Sequence, residues 1–139
     1  MKFKLLLLAL SPILFACSNE SSNDAKESIQ AIKQQDLQKN WQLIQLDNRP
    51  IQANSSLNID DQEKASGNLA CNNFFGALEF QENKIRINKM VSTRKMCKPD
   101  INVIEMTVSS TLAAWSEVKV SEQKLILTGE RHTLTYQIK

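Results

Sequence analysis

Few side chains in this 139-residue chain can do chemistry, and their spacing limits what that chemistry could be. There are three cysteines, Cys17, Cys71 and Cys97, and one histidine, His132. Any Ser-His-Asp or Cys-His nucleophilic system would have to use His132. Its place beside Leu134 and Tyr136, on the apolar face of an alternating segment, reads first as a buried or rim imidazole. Cys71, Cys97 and His132 could in principle bind zinc or copper, since thiolates and imidazole suit those ions. No CxxC or HxxxH pair supports that site, so no metal is assigned. Asp60 and Asp61 fall in a turn, while Asp100 and Glu105 fall at the start and flank of a helical segment, where acids complement the helix dipole and stay solvated. The three glycines, at 67, 76 and 129, build no phosphate-cradling loop. The expectation is a protein without catalytic residues or cofactor, not an enzyme.

Two polar features remain. Arg94, Lys95 and Lys98 cluster beside Cys97. Either Arg94 hydrogen-bonds carbonyls to hold a loop while the lysines are solvated, or the three form a small contact site for an anion, such as a phospholipid head group or an acidic partner segment. Asn72 and Asn73 precede Phe74 and Phe75, which predicts a tight turn or bulge, with the Asn side chains on local backbone and the two rings on opposite faces. One ring must then leave the packed face, which makes Phe74 and Phe75 candidate binding residues.

The elements that must position these residues are mostly strands. Alternating apolar positions recur at Leu57 and Ile59, at Phe74 to Phe80, at Ile85 and Ile87, at Val118 and Val120, at Leu125 and Leu127, and from His132 to Ile138. Such a period of two marks half-buried antiparallel strands. Turn pairs separate them at Asp47-Asn48, Asp60-Asp61, Glu82-Asn83, Ser121-Glu122 and Thr128-Gly129. After Pro99, which suits a first helical turn, the spacing of Ile101, Ile104, Val108, Leu112 and Trp115 predicts one long helix. The fold class is therefore α+β, dominated by β: a curved antiparallel sheet or partial barrel with one long helix packed across it. This single domain spans 41–139.

The preceding residues read differently. Lys2 and Lys4 precede an apolar run from Leu5 to Phe15, too short to span a bilayer, which needs about 20 apolar residues. Residues 1–16 are read as a signal peptide, and Leu14-Phe15-Ala16-Cys17 resembles the lipobox cut by lipoprotein signal peptidase, with Phe15 larger than the usual occupant. The alternative is an ordinary secretory signal with Cys17 a bystander. A multiply acylated Cys17 would be a durable anchor, whereas a single chain holds only marginally. Ser18, in place of Asp, resembles the enterobacterial signal for sorting to the outer membrane. Residues 17–40 would then comprise the lipidated cysteine, a polar tether through Asp24 and a thin amphipathic helix toward Lys39.

Processing also changes the charge balance: the chain has 17 Lys and Arg against 15 Asp and Glu, and loss of Lys2 and Lys4 leaves 15 of each. A neutral domain without a basic run lacks the footprint of a nucleic-acid binder. With Cys17 committed to lipid, Cys71 and Cys97 remain as an even pair in an oxidising compartment and are expected to form a disulfide. Closing a loop of about 27 residues would contribute on the order of 3 kcal/mol.

Three stretches carry a family resemblance. Ser66-Gly67-Asn68-Leu69-Ala70-Cys71-Asn72-Asn73-Phe74-Phe75-Gly76, then Ser92-Thr93-Arg94-Lys95-Met96-Cys97, then His132-Thr133-Leu134-Thr135-Tyr136 resemble the META domain, specifically the HslJ-like bacterial lipoproteins. Ala70 stands where many members have Gly, and Lys95 where Met is common. The resemblance covers Trp41 to Lys139 and implies a β-rich domain with one helix. It further implies an envelope or secreted protein linked to stress or drug tolerance, with no established reaction and a fold similar to that of a pilotin. Two functions follow as expectations for a monomer on the periplasmic face of the outer membrane. One is an interaction module for an envelope protein; the other is a carrier holding a lipid or small apolar ligand in the half-barrel.

Overall fold

A computed structural model describes residues 31–139. Cys17, the signal peptide and the start of the expected helix lie outside the described residues. Within them, the segment before the sheet carries a single 3-10 turn, Gln34–Leu37, after an extended Lys33, so the expected helix does not continue to Lys39. The turn has a packing role. Leu37 is fully buried and its carbonyl accepts a hydrogen bond from Trp41 Nε1 at 3.0 Å, which ties the turn to the first strand.

Nine strands follow: β1 (Asn40–Leu46), β2 (Arg49–Pro50), β3 (Ser56–Ile59), β4 (Lys64–Asn68), β5 (Asn73–Gln81), β6 (Lys84–Ser92), β7 (Ser116–Val120), β8 (Lys124–Thr128) and β9 (Thr133–Ile138). One helix, α1 (Pro99–Ala113), separates β6 from β7. The strands form a single antiparallel sheet, with β2 a short spur on β1. The sheet curves round until β9 pairs with β1 from Trp41↔Ile138 to Leu46↔Leu134. It is a ring-like, strand-dominated α+β fold.

The alternating residues point into the ring. Trp41, Leu57, Ile87, Leu125, Leu134 and Tyr136 are fully buried there, joined by Ile59, Phe74, Leu78 and Val118. Burial of such side chains stabilises by about 1.5 to 3 kcal/mol each. The ring has one thin seam. Strands β6 and β7 pair only at Lys84↔Glu117 and Ile85↔Ser116, and α1 packs against β6 and β9, burying Val108 and Leu112. Pro99 occupies the first turn of α1 as expected, whereas Trp115 lies beyond its end and stacks under Arg86, 4.7 Å from the ring centre.

Backbone detail shapes the end of the ring that carries Cys71. Gly67 has φ +155°, and a Cβ there would stand 2.0 Å from the Ser56 carbonyl oxygen on the paired strand, so only glycine fits. Between β5 and β6 the register jumps from Phe75↔Val91 to Ala77↔Asn88, an extra residue on β6 accommodated by Lys89 at φ 51°. This bulge bends β6 before its last residues, Met90 to Ser92.

Candidate functional site

The best-connected polar cluster is centred on Asn72 and Glu105. Glu105 leans from α1 toward the loop between β4 and β5. Its Oε2 accepts from the N–H groups of Cys71 (3.0 Å) and Asn72 (2.7 Å), and its Oε1 from Asn72 Nδ2 (2.6 Å). Asn72, only 4 % exposed, uses its Oδ1 for two more bonds, from Thr93 Oγ1 (2.8 Å) and the Lys95 N–H (2.7 Å). One asparagine thus joins the β4–β5 loop, the segment after β6 and the helix. The sulfurs of Cys71 and Cys97 meet at the same place, with Cα atoms 6.3 Å apart, as the disulfide expected from the sequence.

Two expectations need correcting. Glu105 is not a solvated acid on a helix flank, because it accepts three hydrogen bonds and links distant segments. Asn72 does not serve only local backbone; its side chain reaches residues more than twenty positions away. The sequence signal for both was thin. A helical glutamate and a turn asparagine each have commoner surface roles, and only the fold brings them together.

The segment that Asn72 holds presents Arg94, Lys95 and Lys98 to solvent, together with a fully exposed Met96. Beside it, Phe75 is 66 % exposed and sits opposite Val91, which is 47 % exposed. They flank a largely apolar cleft of about 320 Å³, also lined by Asn73, Phe74, Ser92 and Thr93. The two rings do point to opposite faces. Phe74, one of the candidate binding residues, turns into the core at 3 % exposure and contributes only to the cleft wall, because strand alternation directs it inward.

His132 lies elsewhere, just before β9, with its Nδ1 2.8 Å from Asp47 Oδ2. Asp47 and Asn48, both with positive φ, form the tight turn between β1 and β2, and Asp47 Oδ1 accepts from the Thr133 N–H at 2.8 Å. The Thr133 N–H, then the His132 ring, hold the Asp47 carboxyl below its ordinary range. His132 is thus a half-exposed rim residue bound to a turn, and the acid beside the two cysteines is Glu105. Inside the ring, the Tyr136 hydroxyl has no hydrogen-bond partner among the described residues, and burial pushes its pKa well above the usual tyrosine range.

The META domain family model matches residues 34–139, which is the whole ring together with the 3-10 turn that precedes it. The chain belongs to the META domain family. This META chain is 25 % identical over 136 residues to heat shock protein HslJ of Escherichia coli (strain K12), covering 94 % of this chain and 91 % of that protein. Two structures solved by NMR share its fold. One has a TM-score of 0.67 at 23 % identity, covering 77 % of this chain and 95 % of its own. The other, from Burkholderia xenovorans, has a TM-score of 0.61 at 21 % identity, covering 73 % and 82 %.

Proposed function

We propose that this META protein is an outer-membrane lipoprotein, anchored through Cys17, whose domain works in the periplasm as a non-enzymatic interaction module. Its partner is an envelope protein segment carrying an apolar side chain and acidic residues. The observation that carries this reading is the exposure of Phe75 and Val91 on paired strands, with β6 leading from Val91 into the exposed Arg94, Lys95, Met96 and Lys98. A ring and a fully exposed thioether next to three cations suit an apolar anchor flanked by carboxylates. In favour of this over the carrier reading, Trp41, Tyr136 and the leucines inside the ring are fully buried and form one core cluster. Likeness to a heat shock protein adds a stress-related setting.

Native mass spectrometry of the chain extracted gently from its own envelope tests this. The expected result is an acylated Cys17 terminus and a protein-sized increment that Phe75→Asp abolishes. An increment of a few hundred daltons that survives Phe75→Asp would overturn the interaction reading in favour of a carrier. An unmodified terminus would overturn the anchor.

A further inference from the structure

The sulfur atoms of Cys71 and Cys97 and a carboxylate oxygen of Glu105 lie within 4.8 Å of one another, the tightest grouping of metal-ligating side chains among the described residues. Both acceptor sites of Glu105 Oε2 are taken by backbone N–H groups, but Oε1 accepts only from Asn72 Nδ2 and keeps a lone pair free. The Cα atoms of the two cysteines stand 6.3 Å apart. Two thiolates on one tetrahedral zinc, each at about 2.3 Å from the ion, sit about 3.8 Å from each other. With the S–S bond open, rotation about χ1 of the two cysteines is what would bring the sulfurs to that spacing.

We propose that reduction of the Cys71–Cys97 disulfide creates a zinc site with Glu105: two thiolates, one carboxylate oxygen and a fourth position for solvent. A dithiol donor supplies the two electrons and two protons that cleave the S–S bond and becomes a disulfide itself. Zinc then displaces one proton from each of the two thiols. Thiolate ligands select zinc over magnesium or calcium, which prefer all-oxygen shells. Asn72 Nδ2 lies 3.9 Å from Cys97 Sγ while bonding Glu105, so one amide orients two ligands. The three ligands carry three negative charges against the ion's two. Exposed Arg94, Lys95 and Lys98, on the same segment as Cys97, supply balancing positive charge. This site makes no use of Phe75, Val91 or the cleft they flank: it gives the chain a metal-loaded form that exists only when the disulfide is open.

The test uses the full chain carrying Cys17→Ala, so that two thiols remain, reduced with a phosphine and titrated with Co2+. One equivalent is expected to bind, with thiolate-to-cobalt absorption in the near ultraviolet that Zn2+ abolishes, while the oxidised chain shows none. Glu105→Gln is expected to weaken binding on the order of tenfold or more. A reduced chain without the cobalt absorption overturns the proposal, as does Glu105→Gln binding as tightly as the parent. Should reduction lower the Tm, Zn2+ is expected to raise it again in the reduced chain only, and equal values with and without zinc overturn the site.

Discussion

The interior of the ring and the loop cluster around Asn72 hold distant segments together by opposite means. Inside, the side chains of Trp41 on β1, Leu57 on β3, Ile87 on β6 and Tyr136 on β9 pack into one apolar core, to which the ladder adds backbone bonds, and the Tyr136 hydroxyl finds no partner among the described residues. At the cluster, the joining is directional: two side chains, Asn72 and Glu105, share the bonds that fix the β4–β5 loop, the segment after β6 and α1. Apolar packing tolerates exchange of shape at constant volume, whereas a polar network fails when one member is lost. Phe75 is held by the β4 and β6 ladders, whereas the segment that bears the three cations rests on this second kind of joint and on the Cys71–Cys97 disulfide beside it.

Substitutions can break this contrast. The largest effect is expected from Trp41→Ala, which empties the ring and removes the bond to Leu37; a loss of about 3–5 kcal/mol should be read by denaturant unfolding. Next is Glu105→Ala, which leaves three donors without their acceptor and should cost about 2–3 kcal/mol. Measured by the same method, a loss as small as that of an ordinary exposed glutamate would show that the cluster is not a joint.

A smaller effect follows from pH. The Asp47 carboxyl is held below its ordinary value of 3.8 by the Thr133 N–H and then the His132 ring. Its contribution to stability is therefore complete above that value and is lost as pH falls through the depressed one. The side chain is 44 % exposed, so solvent screening keeps the contribution under about 1 kcal/mol. Thermal melts of the parent and Asp47→Ala should differ at pH 6 and converge in strong acid. The smallest effect is expected from Phe75→Asp, which should change stability by no more than about 0.5 kcal/mol, because the ring it removes already faces solvent.

The same contrast explains what was legible in the sequence. Strands with strict alternation, such as Phe74 to Phe80 in β5 and Leu125 and Leu127 in β8, announce themselves, as does α1 behind Pro99. Strand β4 does not, because Lys64–Asn68 offers only Ala65 as a buried apolar residue and relies on Gly67 to approach β3. Pairing of β9 with β1 joins the two ends of the domain, and no local pattern encodes it. At the candidate site, Arg94, Lys95, Lys98 and the opposed Phe74 and Phe75 stood out by type and spacing. Glu105 did not, since its role exists only after α1 has been laid against β6 and the loop at Cys71.

Photocrosslinking in intact envelopes tests the interaction surface most directly, with a photoreactive residue placed at Phe75 in one sample and at Lys119, exposed on β7, in another. One discrete protein-sized adduct from position 75 and none from position 119 is the predicted result. Adducts from neither position, or equally from both, would contradict a docking surface at Phe75.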